Sequence, residues 1–186
     1  GLEFLEGVPG SVGGWLAMNA GAHGGEIGAR VAWIRCLNPD GEVAILTPDD
    51  LKYAYRSCPG LVKRIALTCC LRLERAAPES IRERRREVRA KRIPLAGLRT
   101  EGSVFRNPEG GSAGRLLDAA GCKGMRIGGA RVTDFHANIV AVEEGATASD
   151  VLALVMRMRS RARFAAGVAL SPEIDGFSAE EAKGVR

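Results

Sequence analysis

The order of hydrophobic and polar residues predicts that strands and helices alternate along the chain. Residues 29–37 and 42–46 are predicted as two strands of a hairpin, because Asn38-Pro-Asp-Gly41 between them is a turn signal. Residues 61–74 are rich in Val, Ile, Leu, Thr and Cys and predict a long, largely buried strand. Three further strands are predicted at 125–133, 138–143 and 168–175.

Helices are predicted where capping residues precede a helical pattern. Thr47-Pro-Asp-Asp50 supplies an N-cap, a proline at the first helical position and an acid at the third, which predicts a short helix over 48–53. A helix over 113–120 is expected to end at Gly121. A longer helix over 148–164 begins at Thr147 and carries an apolar face of Val151, Leu152, Leu154, Val155, Met158 and Ala162.

Residues 79–91 predict a charged helix with almost no apolar positions. It is interpreted as a solvated linker between two subdomains, or alternatively as a nucleic-acid-binding arm. Acidic residues interrupt its positive charge, and no aromatic residues alternate with the arginines to stack on bases, which favours the linker. The predicted fold class is α+β in two small lobes, with residues 1–80 in the first lobe, 81–176 in the second, and 177–186 as a tail.

Composition and charge narrow the function classes. With 46% hydrophobic and 26% charged residues among 186, the chain has the composition of a soluble globular protein, and it has no segment with the length and apolarity of a membrane span. Five cysteines without a C-x-x-C motif predict neither a disulfide framework nor a zinc site, so we expect a reducing cytoplasm. The net charge of +5 favours an anionic partner, either a phosphorylated small molecule or nucleic acid.

Two glycine-rich stretches open the chain, Gly7 to Gly14 and Met18 to Gly25. Their small residues would let backbone N–H groups approach a phosphate or a flat cofactor, but glycines also serve tight turns between strands. Neither common nucleotide-binding glycine fingerprint is present, so both interpretations stay open on this evidence.

Four other residues are candidates for chemistry. Arg56 follows a predicted helix and could clamp a carboxylate or phosphate, although such an arginine taken alone is more often an ordinary surface residue. Ser103 lacks the elbow motif of serine hydrolases and could be a turn residue. Glu173 lies among apolar residues, where a carboxylate points to solvent or sits in a cleft. His136 is one of only two histidines, so a metal site is not expected.

The residues of these motifs and their order along the chain resemble those of a known family. The chain resembles the UDP-N-acetylenolpyruvoylglucosamine reductase (MurB) family, flavoenzymes of bacterial peptidoglycan precursor synthesis, over residues 1 to 176. The motifs that carry the resemblance are Gly7-Val-Pro-Gly-Ser-Val-Gly-Gly14, Met18-Asn-Ala-Gly-Ala-His-Gly-Gly-Glu26, Tyr55-Arg56, Gly102-Ser-Val-Phe-Arg-Asn-Pro108, Ala113-Gly-Arg-Leu-Leu-Asp-Ala-Ala-Gly121, Ile127-Gly-Gly-Ala130, His136-Ala-Asn138 and Pro172-Glu-Ile174.

The resemblance implies which residues act. It implies an FAD site along the first glycine stretch and around the flavin, formed by Gly7, Val8, Pro9, Gly10, Ser11, Val12, Gly13, Gly14, Asn19, Ala20 and Gly21. The catalytic residues that it implies are Arg56 and Glu173, which stabilise negative charge on the substrate carboxylate, and Ser103, which protonates C2. Tyr55, Arg106 and Asn107 are implied to bind the substrate.

The resemblance also implies the cofactors and partners. FAD and NADPH are the expected cofactors, and the expected substrate is the enolpyruvyl ether of UDP-N-acetylglucosamine, which is reduced to UDP-N-acetylmuramate. We expect a monomeric cytoplasmic enzyme without nucleic-acid or membrane partners, and no metal. As an alternative, the chain is a UDP-sugar-binding module that lacks FAD.

Three departures from the family pattern qualify these expectations. Cys58 stands where the family usually has a serine two residues after the arginine. The capping loop with a tyrosine, found in one branch of the family, has no counterpart, which indicates the other branch. The family's first FAD-binding subdomain is absent before Gly1, so the chain is interpreted as the second half of the FAD-binding domain followed by a smaller α+β substrate-binding domain.

Overall fold

The computed structural model of the chain describes residues 1–100 and 102–174. Contacts divide the chain into two compact units, Gly1–Ile93 and a second that begins at Pro94. Each unit mixes helices with antiparallel strands, which confirms the predicted α+β class. The charged helix lies in the first unit, whereas the sequence interpretation assigned it to the second lobe.

The first unit is built on a three-stranded antiparallel sheet with the order β4-β3-β5. A short hairpin and a small helix precede the sheet, and the charged helix follows it. The elements are α1 (Val12–Ala17), β1 (Gly21–Ala22), β2 (Gly25–Glu26), β3 (Val31–Leu37), β4 (Val43–Leu46), α2 (Pro48–Leu51), β5 (Ile65–Leu71) and α3 (Pro78–Arg92), with 3₁₀ turns at Glu3–Leu5, Ile27–Arg30 and Pro59–Leu61.

Local sequence signals explain the first hairpin and α2. Asn38 N–H donates to Glu42 O at 2.8 Å across the β3–β4 turn, and Gly41 adopts φ +86°, as the predicted hairpin requires. Thr47 and Asp50 form the predicted capping box of α2. The helix ends at Leu51, two residues before the predicted end, because the next residue enters the left-handed region.

The prediction for 61–74 was wrong in length and burial. The strand spans Ile65–Leu71, because Pro59–Leu61 forms a 3₁₀ turn. Ile65 and Leu67 are 62% and 45% exposed, since only one face of this sheet is covered by the core of the unit. Outward-facing residues of a strand can therefore be apolar, and composition alone overstated the burial.

The charged helix α3 is exposed along most of its length, with Val88 as its buried residue, in agreement with the prediction. It is also tied to the 3₁₀ turn at the start of the chain. Arg84 pairs with Glu3 at 3.2 Å, Arg85 pairs with Glu6 at 2.8 Å, and Arg89 pairs with the same Glu6 carboxylate. Several of its arginines are therefore partnered within the first unit.

The elements of the second unit are α4 (Ala113–Ala119), β6 (Arg126–Ile127), β7 (Ala130–Val132), β8 (Val140–Val142) and α5 (Ala148–Ala166). A 3₁₀ turn at Ile93–Leu95 spans the boundary in the chain between the two units. In the second unit, helix α5 packs on a three-stranded antiparallel sheet with the order β6-β7-β8, and helix α4 packs against α5. The predicted strand 125–133 is in fact the hairpin β6–β7, because Gly128 at φ +50° turns the chain.

Helix α5 supplies the centre of the second core. Thr147 and Asp150 form a capping box at its start, and Gly167 at φ +69° ends it. From the predicted apolar face, Leu154, Val155, Met158 and Ala162 are buried. Their core also contains Phe105, Leu117, Val132 and Leu170.

The predicted last strand, 168–175, is not a regular strand in its described part. It makes an isolated bridge between Pro172 and Phe105, flanked by two backbone hydrogen bonds. Proline has no N–H to donate to a ladder, which limits the pairing. Asp175 and the predicted tail lie outside the described residues. Among the residues that the structure describes, no helix has the length and apolarity to cross a bilayer.

Candidate active site

The first glycine stretch is exposed and consists of a loop up to Ser11 and the first turn of α1, which begins at Val12. Gly7 and Gly10 adopt φ +71° and +109°, conformations that favour glycine. Ser11 caps α1 by accepting a hydrogen bond from Gly14 N at 3.2 Å. Trp15 Nε1 donates to Pro9 O at 3.0 Å, which fastens the middle of the loop to the helix. The loop therefore exposes backbone and has a fixed conformation.

Asn19 is held inside the first unit. It is 1% exposed, and its backbone adopts φ +47°. Its amide nitrogen donates to Glu26 Oε2 at 2.8 Å and to Ala54 O at 2.9 Å, and its oxygen accepts from Gly28 N at 2.9 Å. The side chain thus connects three segments of the first unit, and it holds the backbone of Ala20 and Gly21 in a fixed place.

Arg56 lies in the turn between Ala54 and Ser57, with φ +52°. Its Nη2 donates to Gly21 O at 2.8 Å, and its Nη1 lies 3.8 Å from Glu26 Oε1. The guanidinium carbon lies 4.9 Å from the centroid of the Tyr55 ring, a cation–π contact. The side chain is 18% exposed, so a charge is held in a defined place near the surface of the unit.

Gly21 has no room for a side chain beside this arginine. A Cβ at this position would lie 2.6 Å from Gly25 O and 3.2 Å from Arg56 Nη1. The glycine therefore permits the close approach of the guanidinium to the backbone.

Cys58, which departs from the family pattern, is buried in the first unit. Its Sγ donates to Leu51 O at 3.5 Å. Burial raises the pKa of the Cys58 thiol, which keeps it protonated and unreactive. Burial also raises the pKa of the neighbouring Tyr53 hydroxyl. Cys58 therefore acts here as a packed core residue.

In the second unit, Asn138 fixes the segment that carries Ser103. The Asn138 backbone oxygen accepts from Val104 N at 2.9 Å. Its side-chain oxygen accepts from Phe105 N at 2.9 Å, and its side-chain nitrogen donates to Phe105 O at 2.8 Å. Ser103 itself pairs with Ile139 in an isolated bridge. Because Asn138 is 3% exposed, these bonds are shielded from water.

The segment around Glu173 pairs with the backbone of the Ser103 segment, at Val104 and Arg106. Glu173 N donates to Val104 O at 2.7 Å, and Arg106 N donates to Ser171 O at 2.9 Å. These bonds place Ser103 and Glu173 on neighbouring extended segments. The two residues are 70 positions apart in the sequence, so only the fold brings them together.

Arg106 and Asn107 continue this segment. Among the described residues, Arg106 Nε is a buried donor without a hydrogen-bond partner in the chain. Asn107 Oδ1 accepts from Ala113 N at 3.0 Å, so this amide helps to start α4. Arg106 Nε therefore keeps a donor that a ligand could use.

A cavity of about 410 Å³ lies in the second unit next to the segments that carry Ser103 and Glu173, although neither residue is among its described lining residues. Gly102 and Val104, which flank Ser103, belong to its wall, and so does Ile174, which follows Glu173. The remaining lining residues are Leu98, Arg99, Thr100, Val140, Val142 and Val151. The wall is mostly apolar and has one cationic side chain, as small-molecule pockets commonly do.

His136 has a structural position in the second unit. Its Nδ1 accepts from Asn138 N at 3.1 Å, and its backbone oxygen accepts from Thr133 Oγ1 at 2.8 Å. Burial, aided by the Lys123 charge, lowers the pKa of the imidazole and favours the neutral ring. Within 1–100 and 102–174, no group of three metal-ligating side chains occurs.

Two residues that the sequence interpretation left without a role are prominent in these contacts. Glu26 bridges Asn19 and Arg56, and Asn138 holds the Ser103 segment. Both lie inside the quoted motifs, in Gly-Gly-Glu and His-Ala-Asn. A polar residue among apolar neighbours, as Asn138 before Ile139-Val140, was the available signal for the second.

Comparisons with known proteins all find similarity to proteins with the same enzyme name. Residues 94–177 match the family described as UDP-N-acetylenolpyruvoylglucosamine reductase, C-terminal domain. Curated proteins with that reductase name align over 94% of the chain, from Geobacter metallireducens at 42% identity and from Anaplasma marginale at 40% identity. The chain spans 58% and 59% of the length of these two relatives.

A solved structure with the same enzyme name is also similar. The crystal structure of UDP-N-acetylenolpyruvylglucosamine reductase (MurB) from Thermus caldophilus superposes with a TM-score of 0.84 at 34% sequence identity. The alignment covers 94% of this chain and 63% of that one.

Proposed function

We propose that the chain belongs to the UDP-N-acetylenolpyruvoylglucosamine reductase family and that the full-length protein reduces the enolpyruvyl ether of UDP-N-acetylglucosamine to UDP-N-acetylmuramate. FAD and NADPH are the proposed cofactors. The alternative of a UDP-sugar-binding module without flavin is not favoured, since the relatives that align with 94% of the chain are named reductases.

The exposed glycine loop is the proposed FAD contact in this chain. Its fit rests on space at the backbone: a Cβ placed on Gly13 would find its nearest neighbour, Ser11 Oγ, at 3.9 Å. A planar or phosphate-bearing ligand could therefore approach the backbone closely at Gly13, in the first turn of α1. Asn19 would position Ala20 and Gly21 beside it through its three internal hydrogen bonds.

The flavin, when bound, supplies the hydride that the enolpyruvyl double bond accepts at C3. Negative charge then develops at C2 and in the adjacent carboxylate of the substrate. Arg56 is the proposed cation that stabilises this charge, with Glu173 in support. Ser103 Oγ donates the proton that C2 receives, and a general acid of this kind must be held within hydrogen-bond distance of its acceptor.

The observation that carries this assignment is the pairing of the Ser103 and Glu173 segments through Glu173 N and Val104 O. Two residues with complementary proposed roles come from distant parts of the sequence to adjacent positions. Tyr55, Arg106 and Asn107 are the proposed substrate contacts, and the buried Arg106 Nε supports a role in binding an anionic group.

The test uses the full-length protein with Ser103→Ala. We expect NADPH to reduce the bound flavin at a rate within about twofold of wild type, whereas reduction of the enolpyruvyl substrate slows at least about 100-fold, in line with loss of a general acid. Stopped-flow absorbance of the flavin measures the two half-reactions separately. Ser80→Ala on exposed α3 is the matched control.

Two results would contradict the proposal. A full-length protein that never binds flavin would remove the redox chemistry altogether. Equal loss of both half-reactions in Ser103→Ala would assign the serine a structural role.

A further inference from the structure

Glu26 stands at the junction of two residues with proposed roles in the site. One carboxylate oxygen accepts a hydrogen bond from Asn19 Nδ2 at 2.8 Å. The other lies 3.8 Å from Arg56 Nη1. A single acidic side chain therefore connects a buried amide to the proposed catalytic guanidinium.

The Asn19 hydrogen bond gives Glu26 a fixed position. The Asn19 side chain is anchored to Ala54 O and Gly28 N, so its amide does not rotate freely. Glu26 itself lies in β2, which pairs with β1 at Gly21. A carboxylate on a fixed strand and bound by a buried amide loses little conformational freedom when it meets Arg56.

The hairpin β1–β2 presents a hydrogen-bond acceptor and a carboxylate charge to the guanidinium side by side. Gly21 O accepts from Arg56 Nη2 at 2.8 Å, and Glu26, paired with Gly21 across the hairpin, faces Nη1. The planar fork of arginine suits two acceptors that are fixed relative to each other. A lysine could not contact both in this geometry, because its ammonium presents a single point of charge.

We propose that Glu26 is a positioning residue, which holds the Arg56 guanidinium against Gly21 O in the orientation needed to receive the substrate carboxylate. The proposal rests on the proposed function of Arg56 in stabilising that carboxylate. In this arrangement the hairpin β1–β2 orients the arginine before the substrate binds. Such prior orientation reduces the entropy lost when the transition state forms.

The main variant is Glu26→Gln in the full-length, flavin-loaded protein. Glutamine keeps an oxygen that accepts from Asn19, so the buried amide stays paired and the fold is retained. Its neutral head no longer attracts Arg56. We expect the rate of substrate reduction to fall about tenfold, while flavin reduction by NADPH stays within about twofold. Glu83→Gln on exposed α3 is the matched control and should change neither rate.

A double-mutant cycle with Arg56→Lys tests whether Glu26 acts through the arginine. In the Arg56→Lys background, Glu26→Gln should lower the rate of substrate reduction by less than about twofold, because the fork that it positions is gone. An undiminished tenfold effect in that background would overturn the proposal.

A second measurement does not depend on turnover. In side-chain ¹⁵N spectra of arginine-labelled protein, the signal lost in Arg56→Lys identifies the Arg56 guanidinium. We expect its Nη protons to exchange slowly in wild type and at least about tenfold faster in Glu26→Gln. Unchanged exchange would overturn the proposal. If instead Arg56→Lys leaves substrate reduction unaffected, the proposed function of Arg56 fails, and the exchange rates still decide whether Glu26 holds it.

Discussion

Replacement of Asn138 by alanine should destabilise the second unit strongly. The Asn138 side chain pairs with both Phe105 N and Phe105 O, and both Asn138 and Phe105 are at most 3% exposed. Alanine would leave a buried N–H and a buried C=O without partners. Each costs about 1.5 kcal/mol, so we expect the free energy of unfolding of the second unit to fall by about 3 kcal/mol.

Hydrogen exchange measured by mass spectrometry reports this loss in the unit concerned. The most protected amides of α5, around Leu154 and Met158, should exchange about 150-fold faster in Asn138→Ala, because 1.4 kcal/mol corresponds to a factor of ten. Asn38→Ala is the matched control: its amide accepts from Arg64 Nε at 2.7 Å at an exposed site in the first unit. It should leave the exchange of α5 within about twofold of wild type.

A small effect would refute the reasoning. If the α5 amides of Asn138→Ala exchange less than about threefold faster than wild type, the two hydrogen bonds to Phe105 contribute little to stability. The Ser103 segment would then be held by packing of Phe105 and by its pairing with 171–173.

Two further predictions concern the first unit. Hydrogen bonds from Arg85 and Arg89 lower the pKa of Glu6 from 4.5 to about 2, so the stability that this ionised carboxylate contributes is present above pH 4.5 and is lost as the pH falls towards 2. The difference in unfolding midpoint between wild type and Glu6→Gln should therefore shrink over that range, and a difference that is constant with pH would contradict the assignment. Gly13→Ala should leave thermal stability unchanged or slightly higher, because Gly13 lies inside α1 with its nearest neighbour, Ser11 Oγ, at 3.9 Å. It should weaken flavin binding at least about tenfold, as measured by titration of the apoprotein, and unchanged binding would argue that the flavin does not contact the first turn of α1.

Local structure was predictable where short-range signals agree. The capping boxes at Thr47 and Thr147 fixed the starts of α2 and α5, and the Asn38–Gly41 turn fixed the first hairpin. The strand predicted around Leu67 was too long, and its burial was overestimated because residue type does not tell which face of a sheet is covered. Gly128 divided another predicted strand, since a glycine inside an apolar run can be a bend or a turn.

The candidate site was less accessible from sequence because its contacts are long-range. Motif resemblance named Ser103 and Glu173, but their adjacency depends on backbone pairing of Val104 with Glu173. The roles of Glu26 and Asn138 depend on where two side chains meet the backbone of other segments. Periodicity and spacing in the sequence do not predict such long-range contacts. The structural roles of Glu26 and Asn138 could therefore be identified only from the fold.

The hydrogen bond between Trp15 and Pro9 has a spectroscopic consequence. The chain has two tryptophans, and both lie in the first unit: Trp33 is 37% exposed on the sheet, whereas the Trp15 indole is fastened to the glycine loop. Indole emission overlaps the absorption of oxidised flavins, so a flavin bound at that loop would quench Trp15 by energy transfer. In a Trp33→Phe variant of this chain, Trp15 is the remaining tryptophan, and its fluorescence intensity would report flavin binding at the loop without an attached label.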